Sequence, residues 1–242
     1  VTARDSAAVN FTLKNSKWTR TTQGNAGVFF ANAGNGQLTA DLNNNIASGF
    51  DLITIYVGQE SLGASAISKL DVTIRNNTVT APATAAGHTI LALLSSAIGA
   101  GAPARIRVSD NNVTQGSTTG GARAIVIDTP DIGTNPVYHA SVTNNMVNLT
   151  NASFGVAALI VQARQASTAC MSIAGNNVTV AASGVDAIEA NQVAPAIASL
   201  FGTGASVPDV LASANAPSTV FVGGTINLTA VPCQLPDSPL LP

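Results

Sequence analysis

A six-residue pattern recurs along this chain at a spacing that few folds can accommodate. Leu13-Lys-Asn-Ser-Lys-Trp18, Leu42-Asn-Asn-Asn-Ile-Ala47, Ile74-Arg-Asn-Asn-Thr-Val79, Val108-Ser-Asp-Asn-Asn-Val113, Val142-Thr-Asn-Asn-Met-Val147 and Ile173-Ala-Gly-Asn-Asn-Val178 align without gaps. The template is aliphatic, any, Asn/Asp/Gly, Asn, any, Val. Two copies depart from it: Ser16 takes the fourth place of the first, and the second ends in Ala47. The copies start at residues 13, 42, 74, 108, 142 and 173, so one unit occupies 29 to 34 residues. A unit of that size repeated six times signals a solenoid, because no single unit can bury its own apolar face.

Each copy is preceded by period-2 alternation, the mark of a strand with one buried face. The inward pairs are Phe11 and Leu13, Val72 and Ile74, Ile106 and Val108, Ala140 and Val142, and Met171 and Ile173. A second strand follows a glycine in each unit, as at Gly87, Gly121, Gly155 and Gly184. A third, short strand follows the Asn turn, as in Val147-Asn-Leu149 and Val178-Thr-Val180. Stacked as coils, such strands pair in parallel with their counterparts above and below. The fourth-place residues Asn45, Asn77, Asn111, Asn145 and Asn176 then form a column at the turn between two sheets, where left-handed backbone is tolerated. Stacked amides can hydrogen-bond along that column and satisfy turn backbone that would otherwise be buried unpaired. The 3.6-residue pattern of a helical bundle is absent.

Ile74-Arg-Asn-Asn-Thr-Val-Thr80 and Ile173-Ala-Gly-Asn-Asn-Val-Thr179 resemble the parallel β-helix repeat of the pectate-lyase-like superfamily, over about residues 9–190. The resemblance implies an all-β, right-handed parallel β-helix, here with about six to seven coils of three short strands. The motif is shared by polysaccharide lyases and hydrolases, phage tailspikes, adhesins and large surface proteins of protists. It therefore specifies fold far better than activity. The coils are expected over 1–193. A C-terminal cap is expected over 194–242, with a short helix near Ser206–Asn215, strands within Val220–Leu228 and a Pro-rich tail. Val1 enters a coil almost at once, so something else is expected to cover that end. No basic start with a following apolar stretch precedes it, so any signal peptide is expected to be missing from this chain.

Charged residues make up only 9% of the 242 and the net charge is −2, which argues against nucleic acid as partner. The longest apolar run, near Phe154–Val161, is far short of the roughly 20 residues of a membrane helix. Nucleophile elbow, P-loop, dinucleotide fingerprint and zinc signature are all missing, and no cofactor or metal is expected. Asp128-Thr-Pro-Asp131 reads as a turn, too poor in carboxylates for calcium. Trp18, Tyr56 and Tyr138 fall in different coils and make no sugar-binding platform.

The register predicts which outward residues share a column. Asp71, Arg105 and His139 are each 34 residues apart and should stack as neighbours, with Arg107 beside them and Asp41 two coils off. They form either a cross-strand ion pair with an exposed histidine or a ligand site for an anionic sugar. On the second strand, Ile90, Ala92, Ala124, Val126, Ala158 and Ile160 are read as pointing outward in an apolar strip, either an interface or a surface covered by the C-terminal segment. Cys170 and Cys233 are either one bridge or two unreactive thiols. N-glycosylation sequons stand at Asn10, Asn76, Asn112, Asn148, Asn151, Asn177 and Asn227.

The functional expectation is an extracellular structural or cell-surface β-solenoid, acting as adhesive, spacer or filament building block. Its expected partners are other copies of itself, neighbouring extracellular proteins, or glycans. The alternative is a carbohydrate-active or carbohydrate-binding β-helix using the face around Asp71, Arg105 and His139.

Overall fold

The computed structural model describes residues 1–20, 26–60, 69–94, 104–118, 121–129, 136–151, 156–181 and 185–237. The fold is an all-β parallel solenoid of three sheets, with a single short helix among the described residues. The first sheet stacks Thr2–Ala3, Ala26–Ala33, Ile53–Glu60, Ile90–Leu94, Ile125–Asp128, Leu159–Ala163, Ile188–Gln192 and Val220–Gly223. The second stacks Ala8–Lys14, Gln37–Asn43, Lys69–Arg75, Ala104–Ser109, Val137–Thr143, Thr168–Ala174, Ile197–Phe201 and Ile226–Thr229. The third holds six short strands, from Lys17–Thr19 to Asn177–Val180. Every pairing joins one coil to the next and is parallel, so six coils contribute to all three sheets.

The core is a stack of aliphatic columns inside these sheets. Leu42, Ile74, Val108 and Val142 are fully buried in one column, each partnered in register with the next. Trp18 packs against this core only partly buried, in the first coil.

The asparagine column explains the repeat. Asn45 donates both its backbone N–H and its side-chain Nδ2 to Asn77 Oδ1, at 2.9 Å each. Asn77 does the same to Asn111, Asn111 to Asn145, and Asn145 to Asn176, at 2.9–3.1 Å. Each Nδ2 also reaches a backbone carbonyl of the preceding coil, as Asn111 reaches Ile74 O at 2.9 Å. All five are buried. The left-handed residue of the turn is not the ladder asparagine but the one before it. Asn44, Asn76, Asp110 and Asn144 have φ of 55–58°, and Gly175 fills the same place at φ 69°. An asparagine in the third place supplies the turn; one in the fourth place supplies the ladder.

Parallel pairing continues past residue 193. The strands Ile197–Phe201, Val220–Gly223 and Ile226–Thr229 extend the first and second sheets. In place of a third-sheet strand the chain makes the helix Val207–Ala214, capped by the Ser206 hydroxyl, which accepts from the Asp209 N–H. The helix ends on Asn215, whose Oδ1 accepts from the N–H and Nδ2 of Asn176 at 3.1 and 3.0 Å. Asn215 is therefore the last rung of the ladder. The Ser218 hydroxyl accepts from the Val178 N–H at 2.8 Å and closes the edge of the third sheet beside it.

Candidate functional site

The predicted charged column is present in register. Asp71 pairs with Arg105, Arg105 with His139 and His139 with Cys170 on adjacent strands of the second sheet, side chains outward. Parallel strands put such neighbours about 4.8 Å apart. Arg105 donates to Asp71 through Nε and Nη2 at 2.7 and 2.6 Å, a two-pronged guanidinium–carboxylate pair. Lys69 adds a second cation 3.1 Å from the same carboxylate. Asp71 itself is fully buried. A carboxylate removed from water must gather partners of this kind or neutralise.

What covers it is the C-terminal segment of the same chain. Cys233 is joined to Cys170 by a disulfide, with 5.5 Å between the Cα atoms. One residue on, the Gln234 N–H donates to His139 Nδ1 at 2.6 Å. Asp237 then reaches the third and fourth coils. Its carboxylate accepts from Lys69 Nζ at 2.5 Å and from Arg105 Nη2 at 2.9 Å, and its N–H donates to Asp71 Oδ2 at 3.2 Å. Residues 233–237 thus run as a strap across the strands, visiting Cys170, His139, Arg105 and Asp71 in order. Two cations and two carboxylates meet at its end, so the cluster is neutral in sum.

The titration of these groups follows from the contacts. Burial works against the Lys69 and Arg105 charges, but the hydrogen bonds and charges of Asp71 and Asp237 outweigh it and raise both above their ordinary values. The hydrogen bond from Lys69, helped by Arg105, lowers the Asp237 carboxyl. Burial first, and the Arg105 charge second, lower His139. A neutral imidazole is what the Gln234 contact needs, since only an unprotonated Nδ1 can accept.

The rest of the predicted ligand set is split up. Arg107 shares a column with Thr73 and Ser141, two residues along the strand from Arg105. Asp41 lies two coils away in that column and is held by Arg75 at 3.1 and 2.9 Å. Asp128 is bound by the Arg164 guanidinium in a cross-coil pair; Asp131 lies outside the described residues. Tyr138 is fully buried, and its hydroxyl donates to Gln162 O at 2.9 Å. Tyr56 stacks on Phe29 with centroids 4.5 Å apart, an aromatic pair made by register alone. No cluster of metal-ligating side chains exists among the described residues. The predicted sequons are exposed except Asn151, which is half-buried.

The apolar strip requires correction. Ile90 and Ala92 do not point outward: they are buried in the main core, in register with Ile125 and Ile127. Leu91 faces out instead, beside Val126 and Ile160. Ala124 and Ala158 are also core residues. At their corners two consecutive N–H groups, Ala124 and Ile125, donate to the one carbonyl of Ala158, so alternation fails for one step. Nor is the outward remnant an open face, since Leu91, Val126 and Ile160 are 7%, 4% and 3% exposed and form a small core of their own. The C-terminal strap does not cover it; the strap lies on the second sheet.

Comparison of the chain with family models, with curated proteins and with solved structures gives no match. What stands is the fold, a parallel β-solenoid with an asparagine ladder.

Proposed function

We propose that this chain is an extracellular structural or cell-surface β-solenoid, a rigid spacer, adhesive or filament building block. The observation that carries this reading is the use made of the charged column. Asp71, Arg105 and His139 are the groups from which an acid–base site on the outer face would be built, and each is bound to the strap. A face organised in this way supports rigidity rather than turnover. The Cys170–Cys233 bridge suits an oxidising compartment. Exposed sequons in the turns suit glycosylation there, and Phe29 and Phe221, 43% and 47% exposed at opposite ends of one outward column, offer contacts for neighbouring copies. A carbohydrate-active reading would require His139 and Asp71 to be released from the strap first.

The test is electron microscopy of the native protein with its mass by light scattering. Fibres or fixed oligomers are expected. A monomer at every concentration, combined with cleavage or saturable binding of a polysaccharide that His139→Ala removes, would overturn the reading in favour of the carbohydrate alternative.

A further inference from the structure

Arg107 differs from the cations around it. Arg75, Arg105 and Lys69 each hold a carboxylate, whereas the half-buried Arg107 side chain makes no hydrogen bond or ion pair among the described residues. Its neighbours up the column are Ser141, paired with it, and Ser172, paired with Ser141. Their hydroxyls, and that of Thr143, are likewise without partners among the described residues and face the same cavity, of about 270 Å³. One end is closed by Phe201, an exposed aromatic ring whose neighbour Leu200 pairs with Met171, so that it continues the column beyond Ser172. The strap forms the side wall through Leu235 and the disulfide-bonded Cys233. The trough thus has one fixed positive charge at one end, hydroxyl donors along its floor and apolar walls.

We propose that this trough binds a small organic monoanion, a carboxylate carried on a ring or branched aliphatic body. The carboxylate would sit on Arg107 and the hydroxyls. The body would lie along the rungs between Arg107 and Phe201, whose backbones stand three strand spacings, about 14 Å, apart, with Leu235 at its side. A single unpaired guanidinium matches one negative charge, and the planar fork of its N–H groups matches a carboxylate in two contacts. The apolar walls exclude a bare inorganic anion as the best occupant, since it would leave Phe201 and Leu235 wet. The strap therefore builds this site while it fills the neighbouring one. The proposal does not depend on assembly of the solenoid.

The experiment is amide-shift NMR of the full, oxidised chain titrated with benzoate, benzamide and inorganic sulfate. Saturable benzoate shifts are expected at Ser141, Ser172 and Phe201. Arg107→Gln should weaken benzoate roughly tenfold or more, and Phe201→Ala should weaken benzoate while leaving sulfate unchanged. Benzamide should not saturate. Absence of saturable benzoate shifts, benzoate binding unchanged in both variants, or benzamide binding as tightly as benzoate would overturn the proposal. Sulfate binding at least as tight as benzoate would overturn the assignment of an organic ligand.

Discussion

Two columns of polar residues stack along this solenoid, an asparagine ladder of six rungs and a charged column of three, and they solve the burial of polar groups differently. The asparagine ladder is self-complementary: each amide carries a donor and an acceptor, so identical residues on successive coils satisfy one another. The charged column cannot close on itself. Asp71, Arg105 and His139 are unlike groups, Asp71 is fully buried, and even with Lys69 the set needs a strand-crossing segment to complete it. A column of one residue type extends with every added coil. A column of unlike charges is a local device, tied to the one place where its partner segment lies.

The largest expected effect comes from untethering the strap. Replacing both Cys170 and Cys233 with Ser removes a cross-link between residues 63 apart in sequence, worth about 4 kcal/mol by chain entropy. Urea unfolding should show that loss; a change under about 1 kcal/mol would mean that this cross-link does not stabilise the fold. Next is Asn111→Ala, which leaves the Asn77 N–H and the Ile74 carbonyl buried without their side-chain partner. Two such groups cost about 3 kcal/mol, and the midpoint of unfolding should fall accordingly. The same substitution at the exposed Asn112, next to it in sequence, should move the midpoint little.

Asp71→Asn should cost about 2 kcal/mol, because Lys69 and Arg105 lose a buried partner but keep Asp237 and some water. Asp237→Asn, at an exposed carboxylate, should cost less than about 1 kcal/mol, and calorimetry of the pair would rank them. The pH dependence has a fixed sign. His139 and Asp237 are both held below their ordinary values of 6.5 and 3.8. Each therefore favours the docked strap fully above its ordinary value and progressively less as the pH falls through the lowered one. Limited proteolysis at the tail should accelerate first below about pH 6.5. Acceleration on raising the pH from 7 to 9 would contradict the assignment.

Much of this architecture was legible because Asn, Gly and β-branched residues each have few places to go in a stacked coil. The column positions of Asp71, Arg105 and His139 followed from spacing alone, since coils of equal length keep register. The phase of Ile90–Leu94 did not. All five residues are apolar, so alternation carries no information. Counting from the glycine misleads there too: the core residue is four after Gly121 and Gly184 but only three after Gly87, at Ile90. Asn215 was missed as a ladder rung because the inserted helix places it 39 residues after Asn176, outside the repeat spacing. The strap lay beyond any periodicity. Its only signals were Cys233 and Asp237 in a stretch poor in charge, and neither names its partner until the chain is folded.

The account rests on residues 233–237 lying docked along the charged column. Hydrogen exchange at the Gln234 and Asp237 amides of the oxidised protein tests this most directly. Both N–H groups are bonded, to His139 and Asp71, so both should exchange far more slowly than the same residues in an unstructured peptide. Exchange at the free-peptide rate at neutral pH, with the disulfide intact, would contradict it.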